Sequence, residues 1–127
     1  MSEKFSITNM TKNASRGVPF AKMKDVALGK NYSVSLVFIG KSESKRLNKK
    51  YRHKDKPTNI LSFPLDENTG EIFITPEVVK REAKLFDRKY DNFISFLFIH
   101  GLMHLKGYTH SSTMDRAEEK LRKQFGI

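Results

Sequence analysis

A chain of 127 residues with 38% hydrophobic and 11% aromatic residues can build one hydrophobic core, so we expect residues 1–127 to form a single domain and not a disordered polymer. The absence of cysteine excludes disulfide bonds and thiolate metal ligands, which leaves His, Asp and Glu to bind any metal ion. A formal net charge of +10 attracts polyanions, above all nucleic acid or anionic membrane surfaces.

The sequence shows no pattern that directs the chain to a membrane. Its opening residues, MSEKFSITNM, lack the basic stretch and apolar run of a signal peptide. The longest apolar stretch, FISFLFIHGLMHL, is shorter than the roughly 20 residues that span a bilayer. We therefore expect a cytoplasmic protein without a membrane partner.

The first third of the chain predicts two strands with a helix between them. Residues 5–9 suit a short edge strand, and residues 19–28 suit a helix with Pro19 near its first position and Gly29 beyond its end. Residues 32–39 alternate in the way that a strand does. The two alternating sets are Val34, Leu36 and Phe38 against Ser33, Ser35 and Val37.

A basic helix is predicted next. Residues 42–51 form a short helical pattern that is expected to bury Leu47 and Tyr51, four residues apart, and to expose its lysines and Arg46. Residues 41–56, KSESKRLNKKYRHKDK, hold eight basic and two acidic residues. An isolated run of this kind is usually a solvated helix face and loop, so by itself it is only weak support for RNA or DNA binding.

Two β-rich segments and a helix follow. Residues 59–65 and 70–75, NILSFPL and GEIFIT, predict a hairpin across the turn-prone DENTG. Thr75 as N-cap and Pro76 as first helical residue predict a helix that runs to about Phe86. Its inner face is expected to carry Val79, Ala83 and Phe86.

The last third of the chain predicts two more helices. The first begins near Asp91 and is apolar almost all round through Leu105, as expected of a central covered helix, and Gly107 is placed to end it in a left-handed conformation. The second begins at about Ser112, which with Asp115 suggests a capping box. Together the elements predict an α+β fold in which a small mixed sheet packs against helices. The apolar positions of the last helix are Met114, Ala117, Leu121 and Phe125.

Three of the four histidines, His100, His104 and His110, lie in HGLMHLKGYTH, on the central helix and the turn after it. His100 and His104 are four residues apart, so their Cβ atoms lie about 5–6 Å apart on one face, a separation that one metal ion bridges. Gly107 can turn the chain so that His110 completes the site. Three buried imidazoles without a shared partner would cost roughly 1–3 kcal/mol each, so we favour a metal site over ordinary core histidines.

Three protein ligands leave a fourth position open, as in catalytic zinc sites, where bound water is acidified toward a pKa of about 7. We expect one zinc ion, although nickel, copper or cobalt suit the same ligands. A closed structural site would need a fourth ligand, which His53 or a carboxylate could provide. The HxxxHxxGxxH spacing also matches the metzincin proteases, but Gly101 stands where their HExxH has its general base, which disfavours a peptidase.

Two segments resemble the YbeY endoribonucleases, also called ribosomal RNA maturation factors. HGLMHLKGYTH is similar to the family's HGxLHLxGYDH signature. YRHKDKPTNILSFPLDENTGEIFI is similar to the family's YRxxDxxTDVLSFP segment. Its GEI also matches the strand that follows in the family, in which Gly, an acidic residue and Ile are consecutive. With the helix bearing KREAKLF, the resemblance covers roughly Tyr32 to the C-terminus.

The resemblance implies a histidine-coordinated metal and hydrolysis of single-stranded RNA in small-subunit ribosomal RNA maturation and ribosome quality control. It implies that His100, His104 and His110 are the metal ligands, and that Arg52, at the YR position, is the catalytic arginine facing the phosphate. A guanidinium there can bind a phosphodiester bidentately and stabilise its transition state. Without the resemblance, the residues favour neither a catalytic Arg52 nor an Arg52 that is only a solvated residue of a basic loop.

The chain departs from the family pattern at three positions. Thr109 stands where the family has Asp directly before the third ligand, so a carboxylate that could orient a histidine is missing. Asn59 replaces an Asp, and Met103 replaces a Leu of similar volume. By analogy with metzincins, we also expect the strand around Ser62 and Phe63 to lie beside the histidine helix as one wall of the cleft.

The leading hypothesis is a metal-dependent endoribonuclease, in which Arg52 binds the phosphate and residues 41–56 grip the RNA. Its expected partners are the ribosome or small-subunit proteins, and its expected state is a monomer. The alternative is a ribosome-binding assembly factor that keeps the metal for folding and does not cut RNA. A third hypothesis, a metallopeptidase, needs a general base that the sequence lacks.

Overall fold

The computed structural model describes residues 4–11, 17–108 and 111–127, and these form four strands and five helices. Every predicted element is present, and its bounds differ from the predicted ones by no more than one residue. In chain order the elements are β1 (Phe5–Asn9), α1 (Phe20–Leu28), β2 (Ser33–Phe38), α2 (Lys41–Arg52), β3 (Ile60–Asp66), β4 (Thr69–Ile74), α3 (Pro76–Leu85), α4 (Tyr90–Leu105) and α5 (Ser112–Phe125).

The four strands form one mixed sheet in the order β1-β2-β4-β3. β2 pairs in parallel with β1 on one side and with β4 on the other, while β3 and β4 form the predicted antiparallel hairpin. β1 and β3 are therefore the two edge strands. The mixed sheet and its helices confirm the α+β fold class.

Helix α4 is the centre of the hydrophobic core, as its apolar sequence predicts. It contacts α1, α3 and α5 as well as strands β3 and β4. Phe98, for example, is fully buried and meets the rings of Phe5 and Phe20 edge-on. In the described part of the chain, no helix has both the length and the apolarity to cross a bilayer.

A second, smaller core lies on the opposite face of the sheet, under α2. Its buried members are Val37, Ile39, Leu47 and Leu61. The alternation along β2 therefore separates two apolar layers, because Val37 faces α2 while Leu36 and its alternate neighbours face α4. This second layer fixes α2 against the edge strand β3.

Two aromatic residues that were expected to be buried are exposed. Tyr51 keeps 53% of its accessible surface because the last turn of α2 lies over Phe63 on the edge strand, at the rim of the sheet. Phe86 keeps 63% because α3 ends at Leu85, so Phe86 has left the helical face that carries Val79. Both burial predictions are wrong.

The capping residues also differ from expectation. Ser111 caps α5, and its Oγ accepts a hydrogen bond from the Met114 N–H at 3.2 Å. The predicted capping box of Ser112 and Asp115 is therefore wrong: Ser111 has the extended backbone that an N-cap requires, and Met114, three residues later, has no side-chain acceptor to complete a box. Thr75 does occupy the N-cap of α3, but it makes no side-chain capping bond.

We predict that Lys24→Met destabilises the fold. Lys24 is 1% exposed, and its Nζ donates to the carbonyls of Tyr32 at 2.8 Å and Gly29 at 3.2 Å. Methionine keeps the length but removes the ammonium from both carbonyls and from Asp25, whose Oδ1 lies 2.7 Å away, so we expect a loss of about 1–3 kcal/mol in urea unfolding. Lys22→Met, at an exposed position of the same helix, is the control; an equal effect of both changes would refute the prediction.

Candidate active site

A cleft of about 750 Å³ lies between the edge strand β3 and helix α4. Residues 58–64 form one wall, which confirms the expected position of the strand around Ser62 and Phe63. The cleft thus brings together side chains from four elements that are far apart in sequence. The other lining residues are Arg52 from α2, Phe96, Leu97, His100, Gly101 and His104 from α4, and Asp115 and Glu118 from α5.

Gly101 lets α4 approach β3 closely. The Ser62 hydroxyl donates to the Gly101 carbonyl at 2.9 Å. A Cβ at position 101 would lie 3.0 Å from Ile60 Cδ1 and 3.3 Å from Ile72 Cδ1. A side chain there would project into the contact between helix and sheet, so a glutamate at the position of the HExxH base would have to displace the two isoleucine side chains.

His100 and His104 converge on one point at the cleft. Their Nε2 atoms are 3.1 Å apart and their ring planes are nearly perpendicular, at 89°. Two imidazoles that bind one zinc ion at about 2.0–2.1 Å in tetrahedral geometry place their nitrogens about 3.3 Å apart. The pair therefore fits a shared metal ion.

The third expected ligand, His110, and the neighbouring Thr109 lie outside the described residues. Within residues 4–11, 17–108 and 111–127, no group of three His, Cys, Asp or Glu residues is arranged to hold a metal ion. The three-histidine site therefore remains a prediction, of which the structure places two members. Gly107, which was expected to end α4, does have a positive φ of 103°.

Glu118 holds the ring of His100. It is only 4% exposed, and its Oε2 accepts a hydrogen bond from His100 Nδ1 at 2.9 Å. Arg122, one turn further along α5, lies 3.7 Å from the other carboxylate oxygen. With the proton of His100 on Nδ1, its Nε2 presents a lone pair on the side of His104.

The sequence prediction omitted Glu118, although a signal was present. Glu118 lies on the inner stripe of α5, between Met114 and Leu121, both of which are buried. A carboxylate on an apolar stripe requires a partner in the core. Asp115, on the exposed first turn of the same helix, is a second carboxylate at the cleft that was not expected there.

Arg52 is the last residue of α2 and lines the same cleft as the two histidines. Its side chain is exposed, as suits a group that meets a substrate from outside. The next residue, His53, ends the helix in a left-handed conformation with φ of 58° and is not among the residues that line the cleft. Nothing in its position supports His53 as a fourth ligand.

The loop after Arg52 is attached to α2 through two buried polar side chains. Ser44 Oγ accepts from the Thr58 N–H at 2.9 Å and donates to the Thr58 carbonyl at 3.0 Å. The Asn48 amide donates to the Lys56 carbonyl at 2.8 Å. These contacts fix the helix end that carries Arg52 relative to β3.

Asn59 has a local reason to differ from the Asp of the family pattern. Its amide Nδ2 donates to Glu82 Oε1 on α3 at 2.8 Å. An aspartate would place a second negative charge beside Glu82, and the repulsion would oppose this contact. The asparagine therefore ties the start of β3 to α3.

The fold and the cleft define a small α+β protein whose central helix presents a histidine pair to a cleft along an edge strand. The family model for endoribonuclease YbeY matches residues 2–126. The chain belongs to this family, which confirms the resemblance seen in the two sequence motifs.

Curated relatives support the same membership. A protein named endoribonuclease YbeY from Francisella philomiragia is 37% identical over 110 residues, which cover 74% of this chain and 70% of the relative. The protein of that name from Rhizobium etli is 35% identical over 123 residues, covering 86% of this chain and 68% of the relative. The match to the Thermotoga neapolitana protein of that name covers 64% of its length, so the chain spans about two thirds of these relatives.

A solved structure has the same fold. The solution structure of a Thermotoga maritima protein superposes with a TM-score of 0.67 at 26% identity, covering 96% of this chain and 89% of that one. The match includes both the sheet and the helices, since nearly the whole of each chain is covered.

We predict that Gly101→Glu destabilises the fold by more than about 3 kcal/mol, because it forces a charged side chain between the buried helix and Ile60 and Ile72. Urea unfolding measures the loss. Gly101→Ala is the matched control: we expect a change within about 1 kcal/mol, since better helix propensity offsets a small shift of the isoleucine tips. A urea unfolding midpoint of Gly101→Glu equal to that of the wild type would contradict the prediction.

Proposed function

We propose that this chain is a metal-dependent endoribonuclease that hydrolyses single-stranded RNA, and that it acts in the cytoplasm on small-subunit ribosomal RNA during maturation and quality control. The observation that carries the proposal is the meeting of His100, His104 and Arg52 at one cleft in a chain of the YbeY family. The names of its relatives, which are endoribonucleases, support the reaction class. We propose a monomer that associates with the ribosome or small-subunit proteins.

His100, His104 and His110 would hold one ion, for which we propose zinc. The 3.1 Å separation of the two described Nε2 atoms supports this assignment. When bound, such an ion supplies a Lewis acid for a phosphoryl oxygen and an acidified water. Glu118 would prepare the site by keeping the proton of His100 on Nδ1, so that the Nε2 lone pair is directed toward His104 and the proposed ion.

Arg52 would bind the phosphate of the bond to be cut. Its planar guanidinium can donate two parallel hydrogen bonds to non-bridging phosphate oxygens. These bonds strengthen as negative charge builds up in the transition state, so they accelerate the reaction and do not merely retain the substrate.

The basic residues beside Arg52 would hold the RNA strand. Of the eight between 41 and 56, Lys41, Lys45 and Arg46 form ion pairs with acidic side chains. The remaining five lie between positions 49 and 56 and form no ion pair within the described part of the chain. We call Lys49, Lys50, Arg52, Lys54 and Lys56 the basic rim.

We predict that Arg52→Ala lowers the cleavage rate of single-stranded RNA about 100- to 1,000-fold, because one stabilising donor group of the transition state is lost. Arg52→Lys keeps the charge without the bidentate geometry and should retain an intermediate rate. His104→Ala should abolish cleavage. The rate constants are measured with metal-loaded protein under single-turnover conditions.

Cleavage by the wild type that is no faster than cleavage by His104→Ala would refute the catalytic proposal. In that case the ribosome-binding assembly factor with a structural metal becomes the better hypothesis, and ribosome co-sedimentation of the same variants would test it.

We predict that Glu118→Gln weakens zinc binding about 10- to 100-fold, because a neutral amide supports His100 less well than a carboxylate does. Competition with a chromophoric chelator measures the affinity without reference to activity. Glu119→Gln is the matched control, since Glu119 is exposed on the same helix and pairs with Lys123 at 3.2 Å. Equal zinc affinity of Glu118→Gln and the wild type would show that the carboxylate does not support the ligand.

A further inference from the structure

Tyr51 presents an exposed aromatic ring next to the cleft. Its ring centroid lies 5.0 Å from that of Phe63, which in turn meets Phe73 edge-on at 5.9 Å. Phe63 lines the cleft and is partly buried, whereas Tyr51 is 53% exposed. We call Tyr51 and Phe63 the aromatic step, because the two rings lead from solvent to the cleft wall.

One cation lies against the aromatic step, and a second lines the adjacent cleft. The Lys50 ammonium lies 5.1 Å from the centroid of the Tyr51 ring, within the range of a cation–π contact. Arg52 follows directly in sequence and lines the cleft that Phe63 also lines. Tyr51 therefore contacts one residue of the cleft wall and precedes another in sequence, which places an exposed ring beside the cleft.

The position of the step is fixed before any ligand binds. Leu47, one turn before Tyr51, is buried in the core beneath α2. Ser44 and Asn48 tie the same helix to the backbone at Thr58 and Lys56. An exposed ring on a rigid helix end loses little conformational entropy when it contacts a partner.

We propose that the aromatic step is a stacking site for one unpaired nucleotide base, beside the phosphate that Arg52 contacts. This inference rests on the proposed RNA substrate and explains a preference for single strands. Proteins that hold single strands combine aromatic rings, on which bases stack, with a basic groove that follows the backbone. Bases in a duplex are already stacked and paired, so they cannot use the ring.

Charge alone would favour any polyanion, including an acidic protein segment. The exposed ring distinguishes these partners, since it adds binding energy only for a ligand with a flat aromatic face. Lys50 has a long, exposed side chain, so its ammonium can move from the ring to a phosphate when a base arrives.

The absence of tryptophan allows a direct test. Tyr51→Trp introduces a single indole at the step, and Leu85→Trp introduces one at an exposed position on α3, where Leu85 keeps 76% of its surface. We expect a short 2′-O-methyl oligoadenylate to quench the emission of Tyr51→Trp and to leave that of Leu85→Trp unchanged. A blunt duplex and polyglutamate should quench neither.

Affinity gives the second measurement. Tyr51→Leu keeps an apolar cover over Phe63 but removes the ring, so we expect it to bind the single strand about 5- to 150-fold more weakly than the wild type. Its duplex affinity should change by less than about twofold, since phosphate contacts dominate there. Urea unfolding of Tyr51→Leu shows whether the effect arises from binding and not from stability.

The stacking site would be overturned if the oligonucleotide did not quench Tyr51→Trp. It would also be overturned if Tyr51→Leu lost single-strand and duplex affinity equally. A third contrary result would be that polyglutamate competes for the protein as strongly as the unlabelled oligonucleotide does. The last result would point to an acidic protein partner. None of these measurements depends on cleavage. If the stacking tests fail but Arg52-dependent cleavage is intact, the proposed function still holds. If cleavage is absent but the stacking tests succeed, the stacking site still holds.

Discussion

The close approach of a buried helix to an edge strand is the constraint on which the rest of this structure depends. Gly101 provides the space, and the Ser62 hydroxyl secures the contact at 2.9 Å from the Gly101 carbonyl. Because β3 has a partner strand on one side only, its free edge and the adjacent face of α4 form an open cleft. A wider helix–sheet separation would move the histidines away from the strand that forms the opposite wall.

The histidine pair is oriented by the packing of the core. His100 and His104 lie on a helix whose other faces are covered by α1, α3, α5 and the sheet. Glu118 reaches His100 from α5, and the buried side chains of Met114 and Leu121 on either side of it hold that helix in place. The free energy of core packing thus maintains the ring orientation, and a metal ion would not have to impose it.

Local patterns predicted the elements, but tertiary contacts decided which side chains serve the site. Period-two and helical spacing located every strand and helix, and the HxxxH spacing located two converging imidazoles. Spacing cannot show where a helix extends past a sheet, so Tyr51 was expected to be buried. It also cannot pair residues 18 positions apart, so the contact between Glu118 and His100 was missed. The family resemblance supplied Arg52, for which the local pattern left two interpretations open.

The residues that stabilise the loop after α2 are neutral, whereas the charged residues beside it are exposed to a ligand. The loop after α2 is attached by neutral hydrogen bonds from Ser44 and Asn48, and not by the cations of the basic rim. The rim therefore contributes repulsion to a chain whose net charge is +10, and none of its cations forms an ion pair with a described acidic side chain. A polyanion that binds there removes this repulsion and releases its own counterions. Both effects favour a nucleic-acid strand at the mouth of the cleft, beside the aromatic step and the histidine pair.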